Sequence, residues 1–282
     1  MALTTPTQEL MIFDAYLTRM ERRRREDESI QNYAYHARRF TGWCSSAGLD
    51  PCRVTTDDLE DYFAEMLDEY SPGTMRNHLK SLRSAYRYAQ RRGVVTSDPT
   101  VEVVIPQEAD REPVVITEPE LRAIKGACRD WDDLALFALL AYAGLRRVEI
   151  RRLRWEHLNF KTATLTVERG KMNKLRKVPI HPELATILRD GQFNLLAPVL
   201  PGRAGGQLSQ GAMHYRLHRL GRPAHDFRRT VASSLFRNGV HTDTIDKIMG
   251  WSPRVVRTRY YQHHADADLQ AAILRLYADD PV

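Results

Sequence analysis

"TATLTVERGKMNKLRKVPI", residues 162–180, is where the hydrophobic period of this 282-residue chain changes from helical to alternating. Leu165 and Val167 alternate with threonines, Val178 and Ile180 alternate with Lys177 and Pro179, and a glycine-containing turn separates the two runs. The pattern predicts a β-hairpin with a strongly basic tip. Set among helical periods, it predicts a mainly α fold with a small antiparallel β-sheet.

Upstream, Thr7 to Gly93 is helical in pattern and stops where helices should stop. Gln8 to Arg24 makes a first helix, Ser29 caps a second that ends at Gly48, Thr55 or Thr56 caps a third, and a fourth follows the turn "SPGT" and closes at Gly93. "VTSDPTVEVVIPQEADREP" then breaks the period with three prolines and acidic residues. The expected division is residues 1–105, a linker at 106–113, and 114–282. Beyond the linker, Thr117 opens a helix, and Leu134 to Ala143 form a nearly all-apolar one that belongs inside the second domain. Helical patterns resume at His181 and run to the end.

The chain is long enough for two modest cores. Lys and Arg outnumber Asp and Glu by 42 to 36, a net charge of +6, which favours an anionic partner without identifying it. The run Arg22 to Arg25 reads as a solvated helix end. Three cysteines with no CxxC pair argue against a disulfide framework and a structural zinc site. With no leader-like start and no stretch of about 20 apolar residues, the sequence reads as soluble, unprocessed and cytosolic.

Four separated pieces carry groups suited to chemistry. Arg146 follows Gly144 at the end of the apolar helix, with Glu149 three residues on to orient it. Lys171 and Lys174 occupy the hairpin tip, where an ammonium could reach a phosphate or a leaving oxygen. "AHDFRRT" places His225 and Arg228 on one side of a helix start, an arrangement that repels a metal cation and suits an anion. "GWSPRVVRTRYYQHH", residues 250–264, brings Trp251 and the adjacent Tyr260 and Tyr261. In the order Arg, Lys, His-x-x-Arg, Trp, Tyr these pieces describe a phosphoryl-transfer site without a metal or other cofactor: cations neutralise the phosphate and a phenol attacks it.

Here the sequence resembles the tyrosine recombinases or phage integrases over nearly its whole length. "AGLRRVEIRRLRW" is similar to that family's "tGlR..Ei..L.w" box, "RGKMNKLRKVPI" to its "GKg.K.r.vPl" hairpin, "HDFRRTVASSLFRNG" to its "HdlRht.at.l...G" box, and "IMGW" to "lLGH". The resemblance implies a helical N-terminal core-binding (SAM-like) domain joined to a tyrosine-recombinase catalytic domain of the DNA breaking-rejoining fold. It implies that Arg146 and Arg228 clamp the scissile phosphate, Lys171 protonates the 5′-hydroxyl leaving group, and His225 hydrogen-bonds the phosphate and helps the nucleophile lose its proton. Glu149 would support them from behind. Trp251 stands where most members have histidine; its indole can donate a hydrogen bond but cannot accept a proton. Arg229 replaces a common histidine and, with Lys174, is a further DNA contact; Lys174 is also the alternative to Lys171 if the hairpin register differs.

Counting nine residues from Trp251 selects Tyr260 as nucleophile. Matching the family's "T-x-x-Y-x-H" run to Thr258 and Tyr261-Gln262-His263 selects Tyr261, at the cost of one extra residue near Ser252. Adjacent helical residues diverge by about 100°, so only one hydroxyl can face the phosphate. Tyr261 is preferred and Tyr260 is the alternative. The implied reaction is site-specific strand exchange on double-stranded DNA through a 3′-phosphotyrosyl link, by four protomers on two DNA sites. The rival readings are a relaxing topoisomerase with a similar site and a DNA-binding regulator that kept the fold without the chemistry. In the last segment Leu269, Ile273 and Leu276 share a face, which could dock on a neighbour or on its own domain.

Overall fold

Side chains next to the helix starts decide where the N-terminal helices begin. In the computed structural model, which describes residues 9–25, 27–67, 69–106, 114–168, 175–191, 194–251 and 266–278, these helices are α1 (Glu9–Arg22), α2 (Asp27–Ala47), α3 (Thr56–Glu65) and α4 (Pro72–Arg91). Thr55 caps α3 by accepting the Asp58 amide while the Asp58 carboxylate accepts the Thr55 N–H. Ser71 caps α4, with Pro72 in the first turn. A cap of this kind is worth about 1 kcal/mol. Ser29 does not cap α2: the helix starts at Asp27, where the carboxylates of Asp27 and Glu28 suit the positive end of the helix dipole.

Phe40, Leu59, Tyr62, Leu82 and Tyr86 form the centre of this unit, and Phe13 packs edge-on against both Phe40 and Tyr86 at 6.0 Å. Each such side chain contributes roughly 1.5–3 kcal/mol by leaving water. Two of the tyrosine hydroxyls carried inside find partners: Tyr86 donates to the Pro51 carbonyl at 2.7 Å, and Tyr62 bonds His78 Nε2 at 3.1 Å.

The chain divides into two compact units, Met1–Arg111 and Glu112–Val282. Val103 and Ile105 belong to the first core and Ile116 to the second. The second unit begins with α5 (Glu118–Gly126), capped by Thr117 and Glu120. Then comes α6 (Trp131–Ala141), in which every residue from Ala135 on, and the following Tyr142 and Ala143, is buried. After α7 (Arg147–Arg152) and a single 3-10 turn, β1 (Leu158–Asn159), β2 (Thr164–Glu168) and β3 (Leu175–Pro179) form an antiparallel sheet in that order. Leu165 faces Val178 and Val167 faces Arg176 across the hairpin. The sequence pattern did not foretell β1, because two residues are too few to show alternation.

The remaining helices among the described residues are α8 (Pro182–Arg189), α9 (Gln210–Arg219), α10 (Ala224–Arg237), α11 (Thr242–Met249) and α12 (Asp266–Ile273). Leu269, Ile273 and Leu276 are buried in the unit's own core, where α12 lies against β3 and α11. Tyr277 adds a hydrogen bond to the Ala141 carbonyl at 2.9 Å. Among the described residues no helix is long and apolar enough to cross a membrane.

Candidate active site

The turn after α6 starts the site. Gly144 has φ +56°, and a Cβ there would meet Met249 Cε at 3.0 Å, so backbone conformation and packing both call for glycine. Two residues later Arg146 occupies the position before α7. Glu149, one turn on, accepts the Arg146 backbone N–H at 2.8 Å and its Nη1 at 2.8 Å. The Arg146 side chain keeps 42% of its surface exposed while the Glu149 side chain keeps 7%. The buried carboxylate therefore aims a solvent-facing guanidinium.

Glu149 has a second partner. Arg176, on β3, donates Nη1 to Oε1 at 2.6 Å and Nη2 to Oε2 at 3.0 Å, a two-pronged pair inside the protein. Burial alone would raise the Glu149 pKa, but the hydrogen bonds and charges of Arg176 and Arg146 outweigh it and hold the carboxyl at about 2. Arg176 Nε also reaches the Ile248 carbonyl at 3.2 Å.

Arg228, from the second turn of α10, is only 2% exposed. Its Nη1 donates to the Gly144 carbonyl at 2.5 Å and its Nη2 to the Met249 carbonyl. The end of α11 explains why those groups want donors. The carbonyls of Asp246 and Lys247 accept the amides of Gly250 and Trp251, with Gly250 left-handed at φ +63°. The next two carbonyls, Ile248 and Met249, accept Arg176 and Arg228. Two arginines of the site thus complete the C-terminus of a helix whose dipole favours cations. Trp251 follows, 38% exposed, with the Arg228 guanidinium 5.7 Å from its ring centre.

His225 lies in the first turn of α10, exposed and within electrostatic reach of Arg229, Arg228 and Arg146. Partial burial and then these positive charges lower its pKa, against the opposing pull of Asp226, so the ring is neutral near pH 7. It lines a groove of about 670 Å³ with Arg147, His214, His218 and Arg222. Arg229 is exposed and faces Asp226 at 3.9 Å.

Arg146, Glu149, His225, Arg228 and Trp251 are therefore brought together. Lys171, Lys174, Tyr260 and Tyr261 lie outside the described residues. Reading the sequence missed Arg176, which was one basic residue among several in the hairpin. A signal was present: Arg176 stands two residues before Val178, on the face of the strand that points to the core. A charge on that face requires a buried partner.

The N-terminal unit carries a different concentration of cations. Arg19, Arg23, Arg25, Arg87 and Arg91 line a pocket of about 320 Å³ beside Tyr16. Arg87 reaches Asp98 at 3.8 Å and Arg19 lies over the Tyr88 ring at 4.8 Å. Two members of the Arg22 to Arg25 run thus join arginines from α4 in one concavity.

Comparison with known proteins fits this geometry. Residues 115–268 match the family described as "Phage integrase family", and residues 12–94 match "Phage integrase, N-terminal SAM-like domain". The chain is 28% identical to the tyrosine recombinase XerD of Pseudomonas putida over 86% of its own length and 89% of that protein. It is 27% identical to the tyrosine recombinase XerC of Xanthomonas campestris pv. campestris, over 79% and 74% of the two chains. Among solved structures, the Tn1549 transposon integrase in complex with a circular intermediate DNA aligns with a TM-score of 0.69 at 16% identity, covering 94% of this chain and 99% of that one. A lambda integrase tetramer bound to a Holliday junction aligns at 0.67 with 17% identity, covering 87% and 78%. At these identities the structural likeness speaks for the fold.

Proposed function

The chain belongs to the phage integrase family, and on that premise we propose that it exchanges strands of double-stranded DNA at specific sites by the following use of its own residues. The phenol oxygen of Tyr261 attacks the scissile phosphorus as the bond to the 5′ oxygen breaks, leaving a 3′-phosphotyrosyl link. Neutral His225 accepts the phenolic proton, and Lys171 gives a proton to the departing 5′ oxygen. The 5′-hydroxyl of another strand reverses the step, and since the link keeps the bond energy, no nucleotide cofactor is required. Arg146 and Arg228 neutralise the nonbridging oxygens in place of a metal ion, and Trp251 donates its indole N–H.

One observation carries the reading. Two arginines, a histidine and a tryptophan converge where the turn after α6 meets the end of α11, with Arg146 held by Glu149 and Arg228 by two carbonyls. A guanidinium already aimed at solvent, as that of Arg146 is, needs no rearrangement when charge develops. In this reading residues 1–105 grip the DNA backbone through the arginine pocket of α1 and α4, 106–113 link the units, and 114–282 perform the chemistry. Lys174 and Arg229 add phosphate contacts. Four protomers assemble on two DNA sites. The recombinase names of the relatives favour strand exchange over a relaxing topoisomerase or an inactive regulator.

The test is a suicide duplex, nicked so that the 5′ product diffuses away, bearing the sequence that the wild-type protein selects from a randomised pool. A covalent adduct should accumulate in EDTA, and Tyr261→Phe should abolish it while DNA binding persists. An undiminished adduct from that variant, mapped to a peptide containing Tyr260, would move the nucleophile by one residue. Absence of any adduct from the wild-type chain would overturn the catalytic reading.

A further inference from the structure

We infer that Arg176 is a positioning residue of the site: by neutralising Glu149 from behind, it lets that carboxylate orient Arg146 without cancelling the positive charge that Arg146 presents to the phosphate. The inference rests on the function proposed above and concerns a residue that it leaves without a role.

The charge balance around Glu149 carries it. One carboxylate faces two guanidiniums, and each oxygen is shared: Oε1 accepts Nη1 of both arginines, while Oε2 accepts Arg176 Nη2 and the Arg146 backbone amide. Arg176 forms the more complete pair, two-pronged and with only 7% of its side chain exposed. Arg146 is bound through one guanidinium nitrogen and keeps 42% of its side chain exposed. Taken together the three side chains hold one net positive charge, and the exposed partner is the one that can present it. Without Arg176, Glu149 and Arg146 would become an isolated pair with no net charge, and the cation meant for the substrate would be spent on its own support.

Position strengthens the case. Arg176 stands on β3, and its Nε holds the Ile248 carbonyl. The adjoining Met249 carbonyl holds Arg228. One side chain therefore connects the hairpin, the Arg146 turn and the end of α11 that seats Arg228. A lysine could supply the charge there, but its compact ammonium could not bond both carboxylate oxygens and the helix end in this fixed geometry.

The experiment compares cleavage of the selected suicide duplex with cleavage of the same duplex carrying a methylphosphonate at the scissile position, where a methyl group removes the phosphate's charge. Arg176→Leu should slow cleavage of the phosphodiester by about 100-fold, the order expected when a positioned cation is lost from a developing charge, and should slow the methylphosphonate far less. Because Arg176→Leu leaves a buried carboxylate half-paired and could fail to fold, Arg176→Lys and the double variant Arg176→Leu/Glu149→Gln are measured beside it, each checked for cooperative thermal unfolding. The folded double variant should cleave the phosphodiester about tenfold or more faster than Arg176→Leu or, if the leucine variant does not fold, within about tenfold of the wild type, since a neutral amide can orient Arg146 without quenching it; Arg176→Lys, which keeps the charge, should lose less than Arg176→Leu. Equal slowing on both substrates, or no recovery in a folded double variant, would overturn the inference and leave the proposed function standing. No adduct from the wild-type protein would remove both.

Discussion

Arginines crowd two regions of this molecule and are held in opposite ways. In the N-terminal unit Arg19, Arg23, Arg25, Arg87 and Arg91 line an open pocket, with one long ion pair to Asp98 and one ring contact among the described groups. In the second unit Arg146, Arg176 and Arg228 each have their donors fixed by a carboxylate or by carbonyls at the end of a helix. The number of cations is no guide to which region does chemistry. Loose cations attract a polyanion and adapt to its backbone, whereas fixed ones can match a charge that exists only in a transition state.

The comparison breaks most sharply at Arg228. Arg228→Lys keeps a positive charge but cannot span the Gly144 and Met249 carbonyls, so covalent adduct formation should fall by about 1000-fold, near the upper end for losing one preorganised donor group. Single-turnover cleavage on the selected duplex, at saturating protein, measures it. A loss no larger than that from an arginine-to-lysine change in the N-terminal pocket would show that fixed geometry is not what separates the regions.

A second, smaller effect concerns stability against pH. The Glu149 carboxyl sits at about 2 in the folded protein against an ordinary value of 4.5. A depressed carboxyl stabilises the fold fully above its unfolded value and loses that contribution as the pH falls toward its folded one. Wild-type stability should therefore drop between about pH 4.5 and pH 2 partly through this residue, and Glu149→Gln should flatten that limb. Denaturant midpoints across the range check it, and an unchanged limb would mean that the Arg176 and Arg146 contacts do not hold the carboxylate.

The smallest effect belongs to the open pocket. Arg87→Ala with Arg91→Ala should weaken binding to duplexes of any sequence alike and reduce the slope of log affinity against log salt by roughly 2, one phosphate for each cation removed. Cleavage at saturating DNA should stay as in the wild type. A change in the cleavage rate without a change in the salt slope would assign these arginines to the chemistry instead.

Much of the architecture was legible where the governing physics is local. Thr55, one of two adjacent candidates, and Thr117 announced helix starts because a cap and its partner lie within one turn, and Gly93 announced a stop because only glycine takes the left-handed conformation without strain. The two hairpin strands and their core-facing residues followed from alternation, whereas the pairing of Leu165 with Val178 came only with the fold. Ser29 misled because a better-charged start lay just before it. The two-residue strand β1 stayed hidden because pairing with β2, and no pattern of its own, makes it a strand.

For the site, the sequence by itself determined the kinds of groups and their order, and the apolar run that must end at Gly144 before Arg146 can face water. Tertiary structure alone decided that Arg228 is seated by carbonyls 84 residues and 21 residues away, and that Arg176 shares Glu149 with Arg146 across 27 residues. The reason is range: periodicity and capping act within a few residues, whereas a buried charge is tolerable only when the folded chain brings it a partner from elsewhere.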